Sequence, residues 1–160
     1  MSGLFDTTSN YSFYAIPAAW VIAIAPHQYA ILANKSNKPF DNRNPRAYVK
    51  SLEDNQGVDS ATKEMISRAE AAQMNNFENL GLFASAIVAG NLAGLSSQTM
   101  NLLSGGYLAS RVVYNFVYIN NNTQASANVR SAVYVAGIGM IFTMFIKAGN
   151  ALKGRAANLL

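Results

Sequence analysis

From Phe13 to Ala33 the chain runs for about 20 residues without Asp, Glu, Lys or Arg, enough as a helix to cross the hydrocarbon core of a bilayer. A soluble bundle would need a polar face on such a helix, and this segment has none. The last long apolar stretch is similar: Val133 to Ile146 offers only Tyr134 and Thr143. Charged residues make up 12% of the chain, about half the share usual in soluble domains. The mean hydropathy of +0.10 is modest because most of the charge is concentrated between Lys35 and Glu78.

These patterns predict an all-α fold, a single membrane-embedded domain of four transmembrane helices. The expected spans cover about residues 12–34, 61–95, 100–119 and 127–149, joined up-down-up-down by short connections. Pro17 and Pro26 should bend the first helix, which is tolerable where neighbouring helices take up the freed carbonyls. Asn34 to Ser60 is a polar loop with breakers at Pro39, Pro45 and Gly57. Ser60 is the expected N-cap of the second helix. Gly90 and Gly94, Gly105, Gly106, Ala109, Gly137 and Gly139 supply small faces for close helix approach. The cations Lys35, Lys38, Arg43, Arg46, Lys50, Lys63, Arg68 and Arg130 cluster at one end, against Lys147, Lys153 and Arg155 at the other. That asymmetry predicts a cytoplasmic first end and both termini outside or lumenal. Met1 to Asn10 has no basic n-region, so no cleaved signal peptide is expected.

Several function classes drop out. No cysteine is present, which removes disulfides, thiolate zinc sites and a protein-borne thiol nucleophile. The single histidine, His27, lies in an apolar helix and reads as a packed or interfacial residue rather than a triad member. No metal site is expected. No dense Lys/Arg run suggests nucleic-acid binding.

Ionisable groups inside a span need partners or a purpose. On the second helix Arg68, Asn75 and Asn79 fall within about 40° of one another, with Glu78 adjacent. On the third, Tyr107, Arg111, Tyr114 and Tyr118 share a face; on the fourth, Arg130, Ser131 and Tyr134 occupy the first turns. All three groups lie toward the same end. They fit either a buried site for a small zwitterion or ion pairs, Glu78 with Arg111 for instance, that tie the bundle together. Arginine forks suit carboxylates, and a cation with tyrosine hydroxyls can favour a thiolate.

At these residues the sequence resembles the MAPEG family, the membrane-associated proteins of eicosanoid and glutathione metabolism. Arg68-Ala-Glu-Ala-Ala-Gln-Met-Asn75-Asn-Phe-Glu78-Asn79-Leu80 is similar to the family's R-A-x-x-A-x-x-N-x-x-E-N-L. Arg111-Val-Val-Tyr114-Asn-Phe-Val-Tyr118 resembles R-x-x-[YH]-x-x-x-Y, and Arg130-Ser131-Ala-Val-Tyr134 resembles R-S-x-x-Y. Asn44-Pro45-Arg46 looks like the N-P-R of bacterial and fungal members.

The resemblance implies a homotrimer in the endoplasmic reticulum or another intracellular membrane. Glutathione would bind between subunits near the cytosolic face as co-substrate for conjugating or reducing an apolar, lipid-derived electrophile. By position, Arg130 would stabilise the thiolate, with Ser131 and Tyr114 in the catalytic set. Asn75, Glu78, Tyr118 and Tyr134 would hold the tripeptide. Arg111 would be structural or ligand-facing. Ala71 and Met74 stand where relatives often carry basic residues, leaving Arg68 as the substitute carboxylate anchor. Arg130 also follows Tyr118 by twelve positions, a longer spacing than in the eicosanoid enzymes. The alternative is a non-catalytic lipid-binding or regulatory protein of the same fold.

Overall fold

The structure is a computed structural model describing residues 8–34, 40–53 and 55–154. Lys35, Lys38, Pro39 and Arg155 lie outside the described residues. Four long helices and one short one form an all-α bundle: α1 (Ala15–Ala33), α2 (Tyr48–Glu53), α3 (Ser60–Leu92), α4 (Ser97–Ile119) and α5 (Gln124–Leu152). Short 3₁₀ turns at Ser12–Tyr14 and Pro45–Ala47 lead into α1 and α2.

Side-chain pairs fix the topology. His27 near the end of α1 meets Glu70 early in α3, while Ser12 at the start of α1 meets Asn91 near the end of α3. Phe83 of α3 stacks on Tyr107 of α4 at 4.1 Å, and Arg111 of α4 reaches the Tyr134 carbonyl of α5. Successive long helices are therefore antiparallel. The core between them holds Phe83, Ala86, Ile87, Met100, Tyr107, Ile141 and Met144, all fully buried.

Among the described residues, two segments are long and apolar enough on their own to cross a membrane, Ser12–Ala33 and Gln124–Leu152. Only 28% and 17% of their most apolar windows are buried, whereas the core helix of a soluble protein is mostly buried. The helices α3 and α4 exceed about 30 Å at 1.5 Å per residue, but polar residues lower their hydropathy. Much of that polarity points into the bundle: Asn76, Asn79, Ser104, Arg111 and Asn115 are all buried.

The helix ends differ from the sequence expectation because capping side chains decide them. Asp59, not Ser60, caps α3: its carboxylate accepts from the Thr62 amide at 2.9 Å and the Thr62 hydroxyl at 2.7 Å. The helix stops at Leu92, short of Leu95. Gly94 takes φ 71°, and the Leu95 amide donates back to the Gly90 carbonyl at 3.0 Å, closing a Schellman turn. Gly94 thus serves the turn, not a packing stripe. Gly90 does pack closely, since a Cβ there would lie 2.6 Å from Met100 Sδ. Ser96 caps α4 and a Thr123–Ser126 capping box starts α5, each about three residues earlier than expected.

Pro17 falls in the first turn of α1, where it needs no accommodation. Pro26 lies inside the helix and leaves the Ile22 carbonyl without its i+4 donor. Asn115 Nδ2 supplies one at 3.0 Å from α4, and Asn115 Oδ1 accepts from Asn76 Nδ2 of α3 at 2.6 Å. One asparagine thus ties three helices together at the depth where α1 is interrupted.

Candidate functional site

The cation-rich ends of α3, α4 and α5 enclose an open cleft of about 290 Å³ lined by Asn75, Tyr114, Tyr118, Arg130, Ser131, Tyr134 and Val135. Six of the nine residues singled out from the sequence therefore meet at one place. Antiparallel α4 and α5 bring them together: Tyr114 and Tyr118 lie in the last turns of α4, and Arg130 to Tyr134 in the first turns of α5.

The walls are aromatic. Tyr114 meets Tyr118 edge-on at 5.4 Å and Tyr134 at 5.8 Å. The Arg130 guanidinium lies over the Tyr118 ring, 4.5 Å from its centroid, in a cation–π contact. The Tyr134 hydroxyl is within 3.3 Å of the Asn79 side chain, and Asn79 Nδ2 donates to the Asn75 carbonyl at 2.7 Å. Ser131 is exposed, its hydroxyl donating to the Ala127 carbonyl at 3.1 Å. Among the described residues no carboxylate lines this cleft; its charged member is a guanidinium and its other polar groups are hydroxyls and an amide. Such a lining favours an anion.

Three expected site residues lie elsewhere. Arg68 donates from Nε to the Ile119 carbonyl at 3.0 Å and pairs with Glu64 at 3.5 Å. It borders a separate hollow of about 500 Å³ beside Asn121, Asn122, Thr123 and Gln124. Glu78 is exposed on α3 and is not part of the cleft lining. Arg111 is buried behind the tyrosine wall, 2% exposed, with ring centroids of Tyr107, Tyr114 and Tyr134 at 5.0–5.2 Å. The suggested Glu78–Arg111 ion pair does not form: one partner faces outward while the other is enclosed.

Residues 11–150 match the family model of the MAPEG family. The chain belongs to the MAPEG family. Neither a search of curated proteins nor one of solved structures finds a match. Family membership agrees with the outward-facing apolar surfaces of α1 and α5 and makes this a membrane-associated MAPEG chain.

Two polar contacts of this MAPEG chain were not anticipated. His27 Nδ1 lies 2.7 Å from Glu70 Oε1, and its ring packs edge-on against Phe40 at 5.2 Å. The histidine was expected to be packed or interfacial, but its carboxylate partner, placed inside the second-helix motif, was not foreseen. The Asn76–Asn115–Ile22 linkage was also missed. Its sequence signal was Pro26, which guarantees an unpaired carbonyl four residues earlier.

Proposed function

We propose that this MAPEG chain is a membrane glutathione transferase, with peroxidase activity toward lipid hydroperoxides as a related capacity. The observation that carries the reading is the acid-free cleft that gathers Arg130, Ser131, Asn75 and three tyrosines. Glutathione presents carboxylates and, on ionisation, a thiolate. Arg130 and a tyrosine hydroxyl, Tyr114 by position, would favour the thiolate and lower the thiol pKa from about 8.5 toward neutrality. The sulfur then attacks an electrophilic carbon, a C–S bond forms and the leaving group departs with its electron pair. Asn75, Tyr118 and Tyr134 would hold the peptide, and an apolar, lipid-derived electrophile would arrive through the bilayer.

At about 290 Å³ and open to one side, the cleft is at the small end of ligand pockets, roughly 300–1,000 Å³. A neighbouring subunit would complete it, in line with a homotrimer whose site faces the cytosol in the endoplasmic reticulum or another intracellular membrane. The test is glutathione binding by the purified, detergent-solubilised chain, followed by conjugation to an aryl halide for wild type and Arg130→Ala. Binding with turnover lost in Arg130→Ala is expected. No binding at millimolar glutathione would sink the reading, and unchanged turnover in Arg130→Ala would remove the assigned role. A monomer by mass in detergent would remove the intersubunit site.

One observation favours a second reading, a non-catalytic lipid-binding or regulatory protein of the same fold. A mainly apolar groove of about 410 Å³ runs between α1 and α4 beside Pro26, Tyr29, Phe116 and Ile119. Retained lipid in the purified protein, together with absent glutathione binding, would support it.

A further inference from the structure

Arg111 is the largest fully buried side chain of the described residues. Its Nη2 donates to the Tyr134 carbonyl at 3.3 Å, while Nε and Nη1 meet no acceptor. No carboxylate pairs with it among the described residues. A permanently charged group in such a place is costly, so its surroundings must compensate. Here they are ring faces: Tyr107 at 5.0 Å, Tyr114 at 5.1 Å and Tyr134 at 5.2 Å. Gly137 makes the room, since a Cβ there would collide with the guanidinium.

Two of those rings, Tyr114 and Tyr134, are also walls of the cleft. Tyr114 in turn meets Tyr118, the ring on which Arg130 rests. The wall is thus a continuous set of tyrosines with one guanidinium behind it and another at its open side. A planar guanidinium can lie against several ring faces at once, which a compact ammonium cannot do.

We propose that Arg111 is a positioning residue whose guanidinium, packed over the rings behind Tyr114 and Tyr134, fixes the aromatic wall that seats Arg130 and the cleft's ligand. Its effect on turnover rests on the glutathione reading; its effect on the rings does not.

The experiment uses the full chain in detergent with ¹³C-labelled tyrosine rings, comparing wild type with Arg111→Met and Arg111→Lys. Both variants should move the ring signals of Tyr107, Tyr114 and Tyr134, and that of Tyr118 through Tyr114, leaving those of Tyr11, Tyr29 and Tyr48 in place. Conjugation should fall roughly tenfold to a hundredfold in kcat/KM. Bound glutathione should also ionise at higher pH, read from thiolate ultraviolet absorbance, because Arg130 loses its seat. Unmoved rings in Arg111→Met would overturn the proposal. So would full recovery of rings and turnover in Arg111→Lys, since charge alone would then suffice. If Arg111→Met does not fold, Gly137→Ala displaces the guanidinium from the opposite side; unmoved rings in that variant overturn the proposal equally. If wild type binds no glutathione, the transferase reading fails on its own, and the ring signals still decide the positioning role.

Discussion

The link between Pro26 and Asn115 lends itself to a double-mutant cycle. Replacing Asn115 by Leu keeps the number and branching of the side-chain heavy atoms but removes the donor to the Ile22 carbonyl and the acceptor for Asn76 Nδ2. Asn76 keeps its bond to the Ala72 carbonyl at 2.8 Å, so the main loss is the buried Ile22 carbonyl. An orphaned buried group costs about 1–3 kcal/mol, and interhelical bonds in membranes fall toward the low end of that range. We expect about 1–1.5 kcal/mol for Asn115→Leu, or about 2–6 °C in a chain of this size. Pro26→Ala restores an amide at position 26, in line with the same carbonyl. In that background Asn115→Leu should cost about 1 kcal/mol less, and the difference is the coupling energy. The cycle cancels the small cavity that Pro26→Ala itself creates. Thermal unfolding in detergent of the four proteins measures it. Equal losses in both backgrounds would refute the idea that Asn115 substitutes for the missing helical donor.

Gly137→Ala should destabilise by about 1–3 kcal/mol, because its Cβ meets an enclosed guanidinium and the Ser110 hydroxyl at 2.8 Å. Gly139→Ala, with nothing within 4 Å, should be neutral or slightly stabilising in the same unfolding assay. The Thr62 hydroxyl and amide hold the Asp59 carboxyl below its ordinary value of 3.8. The cap's contribution is therefore complete above that value and is lost as pH falls through the lower folded one; Asp59→Asn should flatten this acid limb of a stability-against-pH curve. Ala71 lies one turn before Asn75 on α3, so Ala71→Arg should add a guanidinium near the cleft and lower the glutathione Kd about tenfold by titration calorimetry.

The bundle was legible because its signals are long. Uncharged runs and turn residues located four helices; 100° arithmetic placed Tyr114 and Tyr118 on one face, and Arg130, Ser131 and Tyr134 fell in the first turns of the next helix, which antiparallel packing brings alongside. The same arithmetic put Arg111 on the face of Tyr114, where its guanidinium does meet the Tyr114 ring, but it left open whether Arg111 is structural or ligand-facing. Helical angle gives direction but not depth, and the Arg111 guanidinium lodges in the gap left by Gly137, behind the wall rather than in the cleft. Asn115 carries no signal of its own in the sequence, because its partner is a main-chain carbonyl freed 93 positions away. The cap of α3 was one residue off because Asp59 and Ser60 both suit the position, and only the Thr62 bonds separate them.

Glu78 shows how the lone subunit and the proposed site fit together. It lies on α3 one residue before Asn79, whose side chain meets Tyr134 at the cleft, yet Glu78 itself is exposed. Inside a bilayer an uncovered carboxylate would cost a few kcal/mol. The cleft across the bundle has the opposite imbalance, cationic and without an acid, while glutathione carries an ammonium as well as carboxylates. In the homotrimer proposed above, a second copy over α3 would cover Glu78 and bring its carboxylate to a neighbour's ligand instead of its own. The outward turn of Glu78, which removes it from the cleft lining of its own chain, therefore agrees with the proposed site shared between subunits.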